Sequence, residues 1–105
     1  MGWFKKAKIM DANEVRQALR REGLQYLKFV KVDGAYRFAD AATAFGTDHR
    51  ELAQDQPAES AGFVKIYPDG FFVEGYSQSL NVGPDKDDET NLATLLDLPV
   101  RSKWQ

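Results

Sequence analysis

The chain has 105 residues, a formal net charge of −2 at pH 7 and no cysteine. That length fits one domain, 1–105, burying roughly 65% of the surface its unfolded chain exposes. Lack of cysteine excludes disulfides, thiolate zinc sites and cysteine nucleophiles and suits a reducing, cytoplasmic address, while the small net charge gives no global pull toward nucleic acid and the short apolar runs fall far below the ~20 residues of a membrane span.

Lys5, Lys6 and Lys8 follow Trp3 and Phe4, a basic start that reads as solvated surface rather than a nucleic-acid motif. Asp11 with Glu14 three residues on forms a capping-box pattern, and Gly23 is a natural stop. The helix between them places Ala12, Val15, Ala18 and Leu19 on one face, with Arg16, Arg20 and Arg21 elsewhere as solubilising groups.

Leu24 to Val32 carries apolar side chains at both parities (Leu24, Tyr26, Leu27, Phe29, Val30, Val32), as an inner strand does. Asp33-Gly34 supplies a tight turn, and Ala35 to Ala39 returns as the partner strand. Ala42, Phe45, His49 and Leu52 then recur at helical spacing. Gly46 interrupts that stripe, so either one kinked helix or two short ones fits, with Asp48 and Glu51 capping the second.

Gln54 to Ser60, with Pro57, reads as a loop. Gly62 to Tyr67 and Phe71 to Tyr76 flank Pro68-Asp69-Gly70, whose fixed proline torsion and permissive glycine suit a hairpin turn. Val82-Gly83-Pro84 breaks the chain again. Leu92, Leu95, Leu96 and Leu98 build a last amphipathic helix that ends before Pro99, and Val100 to Trp104 reads as a short final strand. The expected fold class is therefore α+β: a mixed or antiparallel sheet of about five to six strands built from hairpins, covered by about two to three helices.

Candidate chemistry is sparse. Gly75-Tyr76-Ser77 ends a hairpin strand and opens onto the polar loop Gln78 to Asp88, where a hydroxyl on rigid scaffold is expected to face solvent. Ser77 has an equally plain reading as a strand-end residue bonding to its own loop. His49 reads as a partly buried histidine at the edge of the Phe45 and Leu52 stripe. Asp85, Asp87 and Glu89 alternate as in a calcium loop but lack its glycine and its downstream glutamate, so they read as loop and helix-start acids. The strand aromatics Tyr26, Phe29, Phe63, Phe71 and Phe72 read as core packing or sheet-face cover. No metal site and no cofactor is expected.

Gly75-Tyr76-Ser77, the small-residue turn with Gly83, the helix after it, a terminal strand with Trp104, and the upstream stretch Tyr36-Arg37-Phe38-Ala39-Asp40 together resemble the janus/ocnus family. Its best-understood members are protein-histidine phosphatases. The resemblance covers the chain from Leu24 onward and leaves the first helix as an addition. It implies a catalytic histidine two residues after the acid of that stretch, where this chain has Ala42, which cannot accept a proton. It also implies a phosphate-holding lysine on the first strand, and Gln25 falls there, without charge.

What the resemblance leaves is an anion pocket made by Tyr76, Ser77, Ser79, Thr43 and Gln25, with a helix start near Thr43 favouring negative charge. It implies a non-catalytic domain whose partner is a phosphate-like anion or a phosphorylated protein. One alternative is an active phosphatase with His49 as base, though seven helical residues past Ala42 mean a rise of ~10 Å. Another is a protein-protein interaction module using the exposed face of the aromatic hairpin at Phe72.

Overall fold

The computed structural model describes residues 8–42 and 48–101. Expectations placed on Trp3, Phe4, Lys5, Lys6, Thr43, Phe45, Gly46 and Trp104 lie outside the described residues.

The first helix, α1 (Ala12–Glu22), starts where its sequence says it should. Asp11 Oδ1 accepts the Glu14 N–H at 2.8 Å, and Glu14 Oε1 accepts the Asp11 N–H at 3.2 Å. This reciprocal cap satisfies two of the donors a helix start leaves orphaned and is worth about 1 kcal/mol. Gly23 ends the helix in the left-handed conformation, φ 62°, which costs glycine nothing because it has no Cβ. Val15 is fully buried, and Ala12, Ala18 and Leu19 pack beside it. Arg16 departs from its expected solubilising role: its Nη1 donates to the Leu95 carbonyl at 2.5 Å and its Nη2 to Asn13 Oδ1 at 3.1 Å.

Four antiparallel strands follow: β1 (Tyr26–Val32), β2 (Ala35–Asp40), β3 (Ser60–Tyr67) and β4 (Gly70–Glu74), in the spatial order β2-β1-β3-β4. Asp33 and Gly34 join β1 to β2 with φ 50° and 77°. Two successive positive φ angles give the turn whose twist matches a right-twisted hairpin, and an Asp-Gly pair tolerates them. The second hairpin turns through Pro68-Asp69, with Tyr67 opposite Gly70.

The expected five to six strands are corrected to four among the described residues. The C-terminal segment makes a single parallel bridge, Val100 to Phe71, with Phe71 N–H donating to Pro99 O and Arg101 N–H to Phe71 O. The next outward donor on β4, the Val73 N–H, is bonded to Glu89 Oε2 at 3.3 Å, and the rest of the expected final strand, past Arg101, lies outside the described residues. At the opposite edge Met10 exchanges both backbone bonds with Phe38. Single bridges of this kind blunt sheet edges against further pairing.

Alternation along β1 splits the core. On one face Leu27, Phe29, Tyr36, Phe38, Val64 and Phe71 pack under α1 and the last helix, α3 (Asp88–Leu96), which contributes Leu92 and Leu96. On the other, Val30, Val32, Ala39 and Ala61 meet Leu52 and Ala53 of the short helix α2 (His49–Ala53). Each large side chain fully buried this way contributes about 1.5–3 kcal/mol. The sheet is thus a middle layer between helices, which gives the α+β architecture with three helices among the described residues.

Asp48 settles how α2 begins: its backbone is extended, φ −79° and ψ 171°, and Oδ1 accepts the Glu51 N–H at 2.8 Å. One continuous helix from Ala42 to Leu52 is therefore excluded, and His49 opens a fresh one. Its carboxyl end is held by Arg37 of β2, whose Nη1 donates to the Leu52 and Ala53 carbonyls at 3.0 Å each and whose Nη2 reaches Gln56 Oε1 at 2.6 Å. A cation with donors at a helix C-terminus answers both the orphan carbonyls and the dipole. No helix of the described residues is long and apolar enough to cross a membrane.

Candidate functional site

Strand β4 ends at Glu74, so Gly75, Tyr76 and Ser77 lie just beyond it. Gly75 takes φ 84°, and a Cβ there would meet the Phe63 ring at 2.5 Å. The chain then folds on itself: Ser77 N–H donates to Val82 O at 2.9 Å and Val82 N–H to Ser77 O at 3.2 Å. Inside that miniature hairpin the Ser77 hydroxyl accepts the Leu80 N–H at 3.2 Å and lies 3.3 Å from Ser79 Oγ. Ser77 is 1% exposed, so its hydroxyl is not presented to solvent as the strand-end position suggests; it bonds to its own loop. Tyr76 is 50% exposed, and its hydroxyl donates to Asn81 Oδ1.

The remaining members of the expected anion pocket are dispersed or out of view. Gln25 is exposed immediately before β1, and its carbonyl accepts the Ile66 N–H at 2.9 Å. Ala42 is exposed, with its N–H given to Asp40 Oδ1 at 2.9 Å. Thr43 lies outside the described residues.

His49 is 5% exposed, its Nε2–H directed at the Gly62 carbonyl 2.7 Å away and its ring edge-on to Phe63 at 4.9 Å. Burial pushes its pKa below the ordinary imidazole value; the Gly62 carbonyl acts against that, and the Lys28 charge adds to it. A neutral imidazole already donating to backbone is a satisfied core histidine, and among the described residues no serine hydroxyl is its hydrogen-bond partner. Among the described residues no group of three or more His, Cys, Asp or Glu side chains is arranged to hold a metal ion.

One arrangement escaped the sequence reading, and a second was read only in part, as the aromatic hairpin face at Phe72. The first is a buried polar knot: Asp88 is fully buried, its Oδ1 accepting from the Tyr36 hydroxyl at 2.6 Å and from Ser60 Oγ at 3.1 Å, its Oδ2 from the Asp85 N–H at 2.7 Å. Asn91 Nδ2 donates in turn to the Tyr36 hydroxyl at 3.1 Å. Burial and then the Asp88 bond push the Tyr36 pKa well above the ordinary phenol value. Within the acidic run the sequence gives Asp88 no mark that separates it from its exposed neighbours; its place one turn before the buried Leu92 was the available signal.

The second is a sheet face. Lys28 stands between Ala39 and Phe63, with Glu74 beyond Phe63; in the next row Tyr26 faces Lys65, and Lys65 faces Phe72. Tyr26 stacks on Phe63 at 5.3 Å and Tyr67 on Phe72 at 5.7 Å, while Lys65 lies over Tyr26 and Arg101 over Tyr67 at 5.6 and 4.3 Å from the ring centroids. Helix α2 seals the Val30, Val32, Ala39 and Ala61 half of this face. These aromatics belong to neither buried core cluster, and Tyr67 is 36% exposed. Two of them, Tyr26 and Tyr67, line an open groove of about 310 Å³ with Gln25, Lys65, Ile66 and Pro68.

Comparison of the chain with protein-family models, with curated proteins and with solved structures gave no significant match to any of the three.

Proposed function

We propose that the chain is a non-catalytic interaction domain that docks a protein partner on the sheet face carrying Tyr26, Lys28, Phe63, Lys65, Tyr67 and Phe72. The observation that carries this reading is the row of two stacked aromatic pairs interleaved with lysines on the half of the sheet that α2 leaves clear. Interface hot spots are enriched in aromatic side chains, and rings stacked on a sheet are presented already ordered. Because both sheet edges are occupied by bridges and by Glu89, a partner gains more from the face than from adding a strand. The imidazole committed to the Gly62 carbonyl supports the absence of catalysis.

The test is a partner captured from cell extract, identified, and then purified. Phe72→Ala is expected to weaken its binding at least about tenfold, the scale of an interface hot spot, while Ser77→Ala leaves it unchanged. Equal binding by Phe72→Ala and the parent chain would remove the reading.

A second reading follows the janus/ocnus resemblance: a non-catalytic receptor for a phosphate-like anion or phosphorylated protein at the loop of Tyr76, Ser77 and Ser79. It is favoured by one observation, the two serine hydroxyls held 3.3 Å apart with Ser79 exposed. Titration with inorganic phosphate should then move the amide resonances of Ser77 to Leu80, and Ser79→Ala should abolish the movement. A loop that ignores phosphate at high concentration would exclude it.

A further inference from the structure

The charges on the docking face are unevenly matched. Lys65 pairs with Glu74 at 3.4 Å, and Arg101 with Asp69 at 2.9 Å. Lys28, half-buried between Ala39 and Phe63 on the central strand, has no ion-pair partner among the described residues. Its charge also helps to lower the pKa of His49, whose ring stands edge-on to Phe63. An ammonium flanked by aromatic surface and without a counter-ion loses hydration as soon as a partner covers it, and that loss is offset only if the partner brings an anion to the same place.

We infer that the partner docked on this face places a carboxylate against the Lys28 ammonium, so that the segment it presents is an acidic, aromatic-bearing stretch of protein. The inference rests on the docking reading above and adds the chemistry of the occupant. A carboxylate is favoured over the repeated phosphates of a nucleic acid because one unmatched cation is available: the neighbouring Lys65 and Arg101 already hold carboxylates, and Glu74 and Asp69 would repel a polyanion. Phe63 and the Tyr26 ring stacked on it provide apolar contact beside that ion pair, excluding water from it.

The experiment uses the full chain, labelled with ¹⁵N, and three probes: an octapeptide alternating Glu and Tyr, its Gln–Tyr counterpart, and an octauridylate. The Glu–Tyr peptide is expected to shift the amides of Tyr26, Lys28, Phe63 and Phe72, and to bind at least about tenfold more weakly to a folded Lys28→Gln variant. Lys28→Arg should retain binding. Saturation with this peptide should also raise the His49 imidazole pKa, because the carboxylate cancels the Lys28 field that now lowers it; an interface in which Lys28 acts only by packing would leave that pKa unmoved. Equal binding of the two peptides would overturn the carboxylate while leaving the docking face intact. Binding of octauridylate in place of either peptide, or no shift on this face with any probe, would overturn the inference together with its basis.

Discussion

The Tyr36 hydroxyl donates to Asp88 Oδ1 across 2.6 Å in the interior, tying the edge strand β2 to the first turn of α3. Ser60 adds a tie from β3, and the Asp85 N–H closes the loop before the helix onto the same carboxylate. One side chain therefore gathers three donors from separate parts of the chain.

Removing that acceptor is costlier than removing any one donor. Asp88→Ala strands Tyr36, Ser60 and the Asp85 amide without an acceptor, and a buried unsatisfied group costs about 1–3 kcal/mol, so a loss of about 3–5 kcal/mol is expected. Tyr36→Phe deletes the bond to Asp88 and the acceptor of the part-buried Asn91 amide, and should cost about 2 kcal/mol. Urea unfolding of both variants checks the order. An Asp88→Ala midpoint equal to that of Tyr36→Phe would mean that the knot contributes only its single strongest bond.

The same bond makes stability sensitive to alkali. Burial and the bond to Asp88 hold the Tyr36 phenol protonated, raising its folded pKa above that of the unfolded chain. The unfolded state then releases its proton first, so the contribution is intact below the ordinary phenol value of about 10 and is lost as pH rises from there through the folded value. Tyr36→Phe should be less stable than the parent at neutral pH yet lose less between pH 9 and 11. Parallel slopes for the two proteins over that range would show that the phenol is not linked to unfolding.

His49 acts with the opposite sign. Its folded pKa is lowered, chiefly by burial, so the unfolded chain takes up a proton that the folded one refuses. The contribution is present above the unfolded imidazole value of about 6.5 and fades as pH falls from there through the folded value. Chemical denaturation of the parent chain should show declining stability below that point, and His49→Gln, which keeps a donor near Gly62 O without a titrating ring, should flatten the decline. The ring proton resonances of His49 give the folded pKa directly, and a value at or above that of a free imidazole would contradict the burial account.

How much of this was legible beforehand depended on whether the cause was local. The Asp11 and Glu14 capping box, Gly23, the Asp33-Gly34 turn and the second hairpin are short-range devices, written within a few residues, and the structure has each where the sequence placed it. The fresh start of α2 was legible as an option through Asp48, and the extended backbone of that residue selected it. Of the expected terminal strand the described residues show one bridge, at Val100, and the bond between Val73 and Glu89, sixteen residues apart, that takes the next edge donor of β4 is recorded by no local pattern. Arg16 reads as a surface charge, and Arg37 carries no structural signal, for the same reason: the helix ends they serve, Leu95 and Leu52 to Ala53, are distant in sequence. Ser77 lies beyond the end of β4 with its hydroxyl turned inward, because the Ser77 to Val82 bridge closes over it, a pairing that the expected strand end did not contain.

Gly70 provides a sharper test of the terminal tie than any change in the tail itself. Its φ is 143°, and a Cβ built on it would sit 2.6 Å from the Pro99 carbonyl oxygen, the acceptor of the Phe71 N–H. Gly70→Ala therefore combines an unfavourable torsion with a backbone clash that no rotamer can relieve, and about 2 kcal/mol or more should be lost. Gly34→Ala is the control: φ there is 77° with nothing within 4 Å of the added methyl, so it should cost only the torsional penalty of about 1 kcal/mol. The difference should appear locally as well as globally. Hydrogen exchange at the Arg101 amide, which donates to Phe71 O at 2.7 Å, should accelerate in Gly70→Ala and stay slow in Gly34→Ala, since only the first change forces the chain after Pro99 away from β4.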